Sequence, residues 1–197
     1  MNLNRQRNEM LMLLRQKIIK LFIKKTLRYL LKPLSIVPAC FMMYMIYRLS
    51  AQDAQTSAGL SLQVSRILVL AYNKIFGKGY SNEVLNILIN QIHPYVRKGA
   101  HMTEYFLLAM SVSLPMYVYR IRGFKLTLLA GAFCVAFAAL DEYHQSFVAG
   151  RVCDFHDVAI DSIGILVGII VIRIICFIGR KTIFSWLVLD EADGIKK

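Results

Sequence analysis

The sequence predicts an all-α, polytopic membrane protein with four transmembrane helices and an N-terminal amphipathic helix. It is 57% hydrophobic and only 18% charged, whereas soluble domains average about 45–50% apolar and about 25% charged residues. Several apolar runs approach the length that spans a bilayer, roughly 20 residues in a helix. Basic residues cluster at the flanks of these runs, so the net charge of +12 indicates a cytoplasmic surface facing anionic lipid and no nucleic-acid partner.

Three segments are distinguished along the chain. Residues 1–32 are predicted to form a basic amphipathic helix on the membrane surface, because Leu11, Leu14 and Ile18 recur at helical spacing among lysines and arginines. A flexible basic tail is the alternative for this segment. Residues 33–180 form the membrane domain, and residues 181–197 are predicted to be an interfacial or cytoplasmic tail.

Four spans are predicted in the membrane domain. They cover about residues 34–51, 100–119, 124–140 and 158–178. Lysines and arginines near the ends of these spans place both termini in the cytoplasm. In the last span, Gly164 and Gly168 form a Gly-xxx-Gly pair, which predicts close packing of another helix within the same bundle.

The connection between the first two spans covers residues 50–98. Apolar periodicity predicts two short helices there, over Leu60–Phe76 and Val84–Ile92. We expect them to rest on the membrane or to cover the site formed by the polar residues at the span ends. Two glycines separate them, and Pro94 is predicted to end the second. His93 is accordingly interpreted as a loop histidine.

Charged and polar residues gather at the ends of three spans. Charges at that depth are costly and indicate a functional site. The candidate binding residues are Lys98, His101, Glu104, Tyr105, Asp141, Glu142, Gln145, Arg151, Asp157 and Asp161. Lys98, His101 and Glu104 are three residues apart and share one helix face. Since lipid excludes such faces, the three helix ends are expected to point at one another.

Several kinds of chemistry fit these residue types. Arg151 can clamp an anionic ligand, and Lys98 can neutralise a carboxylate. The catalytic candidates are His101, Glu104, Asp141 and Glu142, with His101 as a general base and Glu104 as its orienting partner. The same four residues and Asp157 are candidates for a divalent-cation site. A purely structural polar network that holds the helices in register is the alternative.

Two motifs in these residues resemble the VanZ-like family, which is named for the teicoplanin-resistance accessory protein. The first is Lys-x-x-His-x-x-Glu-Tyr-x-x-Leu, which starts at Lys98. The second is Asp-Glu-x-x-Gln, then Gly-Arg, then Asp-x-x-x-(Asn/Asp)-x-x-Gly, from Asp141 to Gly164. Asp161 stands where the family usually has Asn. The resemblance covers about residues 34–180. It implies a multi-pass protein of the bacterial cell membrane with a part in teicoplanin or lipoglycopeptide resistance, and no particular reaction.

Two functions of different classes follow. The first is a non-enzymatic membrane protein whose outward-facing polar pocket binds or alters an envelope component, such as an anionic lipid or a lipid-linked cell-wall precursor. The alternative is a metal-dependent integral-membrane hydrolase or transferase that acts on a lipid-linked phosphate. The sequence favours the first, because it offers no nucleophile motif and no glycine loop to cradle a phosphate. The oligomeric state is left open.

Overall fold

A computed structural model describes residues 2–151 and 154–181. The described residues form six α-helices and no strand, which confirms the predicted all-α class. The helices are α1 Asn2–Leu34, α2 Val37–Ser50, α3 Ala54–Ile75, α4 Asn82–Val118, α5 Gly123–Gln145 and α6 Phe155–Lys181. The predicted C-terminal tail lies outside the described residues apart from Lys181.

Three helical segments in the described part of the chain are long and apolar enough to cross a membrane. They are Lys32–Ser50, Gly123–Gln145 and Phe155–Gly179. These segments correspond to the first, third and fourth predicted spans. The predicted second span lies in α4, where polar side chains such as His101 and Glu104 interrupt the apolar run. A fourth span through α4 stays a prediction.

The N-terminal segment is helical over Asn2–Leu34. It carries large apolar side chains in exposed positions, among them Met12, Leu13 and Phe22. The segment is thus helical, whereas its amphipathic character and its location on a membrane surface stay predictions.

The connection after the first span differs from the sequence prediction. Gly77 and Gly79, both with positive φ, do separate two helices, as predicted. However, the second helix does not end at Pro94, because α4 continues through it to Val118. Proline in a helix interior removes one backbone hydrogen bond. Burial of Leu85 and Ile89 against Val69 of α3 stabilises the helix on the near side of Pro94.

Asp53 begins α3. Its carboxylate accepts a hydrogen bond from the Thr56 backbone N–H at 2.6 Å, which satisfies one of the free donors of the first turn. This hydrogen bond lowers the pKa of Asp53 below its usual value. The cap fixes the point at which the chain turns from α2 into α3, and α3 then lies along the first half of α4.

The core lies around α4, which packs against α2, α3, α5 and α6. Tyr105 and Leu108 of α4 are almost fully buried with Ile165 and Ile169 of α6. Gly164 and Gly168 allow this contact, because a Cβ atom at either position would overlap the backbone carbonyl of Met102 or Phe106. The glycine pair thus serves packing inside the chain, as predicted.

We expect Gly164→Ala to destabilise the protein by about 1–3 kcal/mol, because the added methyl group must push α4 and α6 apart. Thermal unfolding of the purified protein in detergent measures the change. Gly59→Ala is the matched control: it lies in α3 with no atom within 4 Å of the new Cβ position. Alanine there should stabilise the helix by about 0.5–1 kcal/mol. Equal unfolding temperatures for the two variants would contradict the packing role.

Candidate functional site: a buried polar cluster and its cleft

The structure brings polar residues from α4, α5, α6 and the loop before α6 to one end of the bundle. We call this set the polar cluster. Its members are Lys98, His101, Glu104, Tyr105, Asp141, Glu142, Gln145, Arg151, Asp157 and Asp161. All ten were candidates on sequence grounds. Those with the least exposed side chains are on α5 and in the loop that follows it, together with Tyr105 and Asp161.

A chain of hydrogen bonds runs through the buried part of the cluster. The Tyr105 hydroxyl donates to Asp141 Oδ2 at 3.1 Å, and Gln145 Nε2 donates to the same oxygen at 3.0 Å. Arg151 Nη1 then donates to Gln145 Oε1 at 2.7 Å. All four residues are buried. The neutral amide of Gln145 thus stands between the carboxylate of Asp141 and the guanidinium of Arg151.

Arg151 is buried but incompletely paired. Besides its bond to Gln145, its Nη2 donates to the Leu49 carbonyl at 3.4 Å, which connects the loop to the end of α2. Its Nε is buried and has no hydrogen-bond partner in the described structure. Burial, followed by the like charge of Arg97, lowers the pKa of Arg151, although a guanidinium stays protonated in proteins. A buried cation with a free donor favours an anionic ligand.

A second group of contacts connects α4 and α5 to the region around the start of α6. Lys98 Nζ lies 3.0 Å from Asp157 Oδ1, and the neighbouring carboxylate of this ion pair raises the pKa of Lys98. Both side chains are partly exposed, and such pairs contribute little to stability. The Asp154 backbone N–H donates to Glu142 Oε2 at 3.2 Å. These contacts hold the loop against the two helices.

The residues predicted to be catalytic or to bind a metal ion do not all lie in contact with one another. His101 Nδ1 lies 3.6 Å from Glu104 Oε2, which is an ion pair when His101 is protonated but too long for a hydrogen bond. Asp161 is buried, and its Oδ1 has no hydrogen-bond partner among the described residues. In residues 2–151 and 154–181, no three His, Cys, Asp or Glu side chains are arranged to hold a metal ion. The five metal candidates are therefore not brought together as one ligand set.

A cleft of about 290 Å³ opens beside the cluster. It lies between the first half of α3 and the middle of α4, and Arg151, His101 and Glu104 are part of its wall. We call it the α3–α4 cleft. Arg97 supplies a second guanidinium, and Leu60, Val64 and Val96 supply apolar surface. The cleft thus combines two cations with an apolar wall.

A helix that covers the site was one of the two expected placements for the segment that forms α3, but no residue of α3 was among the candidate site residues. Ser57 and Ser61 line the α3–α4 cleft, together with Gln52. Ser61 Oγ lies 2.9 Å from Nε2 of His93, so His93 is a helical residue that joins α4 to α3, and its interpretation as a loop residue was wrong. The available signal was the spacing of Ser57, Ser61 and Ser65, which fall four residues apart on one face of α3.

The fold and the site together define a helical membrane protein with a buried polar cluster at one end of its bundle. The family model described as VanZ/LLP1 matches residues 35–176. The match covers most of the chain, so the chain belongs to the VanZ/LLP1 family, as the motifs predicted. A comparison with curated proteins and another with solved structures found no match.

We expect Tyr105→Phe to lower the stability of the protein by about 1–3 kcal/mol, because Asp141 loses a buried donor. The resulting fall in unfolding temperature should be a few degrees for a chain of this size, roughly 2–4 °C per kcal/mol. Tyr95→Phe is the control, since the Tyr95 side chain is 77% exposed. A Tyr105→Phe protein as stable as the Tyr95→Phe protein would show that the buried hydrogen bond is not structural.

Proposed function

We propose that this chain is a non-enzymatic bacterial membrane protein whose α3–α4 cleft binds an anionic, phosphate-bearing envelope ligand. The observation that carries the proposal is Arg151, which lines the cleft while keeping a buried Nε without a partner. A guanidinium presents a planar fork of donors that matches the oxygens of a phosphate. Arg97 adds a second positive charge to the same cleft.

The lining of the cleft favours a lipid-linked ligand over a free ion. Leu60, Val64 and Val96 provide an apolar wall beside the two arginines, which suits the hydrocarbon chain of an amphiphile. Ser61 and Thr103 are in the same lining. Their hydroxyls donate to backbone carbonyls of their own helices, so they can serve a polar headgroup as hydrogen-bond acceptors. A lipid-linked cell-wall precursor or an anionic lipid has this combination of parts.

The geometry gives no specific support to the alternative of a metal-dependent hydrolase or transferase. His101 and Glu104 lie in the cleft wall, but their Nδ1–Oε2 distance of 3.6 Å does not form the hydrogen-bonded pair that orients a general base. His101 can instead donate a hydrogen bond to a phosphate, and Glu104 can accept one from a hydroxyl of the headgroup. We therefore assign binding to the site.

The orientation we propose places the polar cluster outside and both termini in the cytoplasm, because basic residues concentrate at the opposite end of the spans. We expect Ala149→Cys, in a Cys153→Ser background, to react with an impermeant thiol reagent in intact cells. Ala149 is exposed, whereas its neighbour Gly150 has φ +76° and tolerates a side chain poorly. Lys125→Cys, at the other end of α5, should react only after lysis. The reverse labelling pattern would contradict this orientation.

We expect Arg151→Gln to weaken binding of undecaprenyl phosphate about tenfold or more, since charged hydrogen bonds contribute about 1.5–3 kcal/mol. Isothermal titration of the purified protein in detergent measures this affinity, with undecaprenol as the uncharged comparison. Arg66→Gln is the matched control, because it removes the same charge from an exposed position on α3 outside the cleft. Gln145→Glu should also weaken binding, because the new carboxylate would pair with Arg151 and neutralise the charge that attracts the phosphate.

Equal affinity of the wild-type protein for undecaprenyl phosphate and undecaprenol would contradict the anionic ligand. Equal losses in Arg151→Gln and Arg66→Gln would contradict the cleft as its location.

The same variants test the proposed part in resistance. The wild-type protein should raise the teicoplanin tolerance of a sensitive Gram-positive host, and Arg151→Gln should not raise it at matched membrane levels. A rise retained in Arg151→Gln would separate resistance from this cleft.

A further inference from the structure

A second cleft lies at the other end of the bundle and is not part of the polar cluster. It is about 410 Å³ in volume and is bounded by the end of α4, the start of α5 and the second half of α6. We call it the α5–α6 cleft. Asp141 and Gly123 lie about 27 Å apart along α5, given the helical rise per residue. This separation approaches the hydrocarbon thickness of a bilayer, roughly 30 Å, so the two clefts face opposite membrane surfaces.

Two arginines flank the α5–α6 cleft in defined positions. Arg122 Cζ lies 5.1 Å above the centre of the Tyr117 ring. Arg173 Nη1 donates to Thr127 Oγ1 at 2.8 Å. Tyr117 is itself held, because its hydroxyl donates to the Cys176 carbonyl at 3.3 Å. A guanidinium has five donors, and Arg173 uses one of them in a side-chain hydrogen bond within the described part of the chain, which leaves donors for a ligand.

These arginines have no acidic neighbour on the helices that bound the cleft. No Asp or Glu occurs between Tyr105 and Leu140 or between Ser162 and Leu189. Further cations, Arg120 and Lys125, are exposed at the same end. The positive charge of the cleft is therefore not balanced by these helices, which favours an anion from the surroundings.

The rest of the lining is apolar and faces where lipid chains lie. Leu126 is buried at the base of the cleft, whereas Ile170 and Ile174 of α6 are exposed along its side. Within a segment long and apolar enough to cross a membrane, exposed isoleucines contact acyl chains. The cleft thus places an apolar groove directly beside two cations, which is the pattern of a lipid with a charged headgroup.

We propose that the α5–α6 cleft is a binding site for an anionic phospholipid. Its phosphate lies between Arg122 and Arg173, and one acyl chain lies along Leu126, Ile170 and Ile174. This site involves none of the residues that carry the proposed function, so the lipid-site proposal does not depend on the proposed function. It would seat one lipid against the junction of α4, α5 and α6.

Native mass spectrometry of the delipidated full-length protein tests the proposal, with dioleoyl phosphatidylglycerol as probe and dioleoyl phosphatidylcholine as comparison. We expect the double variant Arg122→Gln/Arg173→Gln to bind phosphatidylglycerol about tenfold or more weakly than wild type. Arg120→Gln/Lys125→Gln is the matched control, since it removes two charges from the same end outside the cleft. Its affinity for phosphatidylglycerol should stay close to that of wild type.

Three results would overturn the proposal. Equal losses in the two double variants would show diffuse surface attraction, and equal binding of the two lipids would show an apolar groove without headgroup recognition. Displacement of phosphatidylglycerol by millimolar inorganic phosphate would show a site for free anions.

A second variant tests the proposal if the double arginine variant fails to fold. Ile174→Trp keeps both arginines but fills the apolar groove, so we expect it to weaken phosphatidylglycerol binding. A monodisperse Ile174→Trp protein that binds phosphatidylglycerol as wild type does would also refute the proposal.

Discussion

The close approach of α4 to α6 is the interaction on which the rest of the structure depends. It exists because Gly164 and Gly168 leave room for the backbone of α4, and it makes α4 the helix that every later element packs against. Tyr105 lies on this buried part of α4 and reaches Asp141 on α5. The close packing of the α4 and α6 backbones at these two glycines therefore also fixes the position of the buried polar network. If these helices moved apart, the Asp141 carboxylate would lose the hydrogen bond from Tyr105.

The electrostatics of the cluster depend on Gln145. A direct Asp141–Arg151 ion pair would cancel the charge of the arginine and leave little to attract a ligand. The Gln145 amide instead donates to the Asp141 carboxylate and accepts from the Arg151 guanidinium, so both are hydrogen-bonded while the guanidinium keeps its net charge. An amide offers a donor and an acceptor on two separate atoms without a charge of its own. The buried Nε of Arg151 follows from this arrangement.

The two ends of the bundle differ in charge composition, and this difference has a structural consequence. One end holds the acids of α5 and α6 together with Lys98 and Arg151, so charges of both signs lie there, and Lys98 pairs with Asp157. The other end holds Arg122 and Arg173 on helices whose neighbouring stretches contain no acid. The proposed lipid site depends on this difference, because an anionic headgroup would supply the negative charge that these stretches lack.

The sequence by itself determined the helical class, three of the spans and the family, and it supplied the candidate residues of the polar cluster. These depend on local features, namely apolar run length, the cost of charge near a membrane, and residue spacing along one helix. Only the tertiary structure decided that α4 continues through Pro94, that α3 walls the cleft, and that Gln145 separates Asp141 from Arg151. Each of these depends on contacts between residues far apart in the chain. Spacing within one helix fixes which side chains share a face, whereas packing between helices fixes which of them meet.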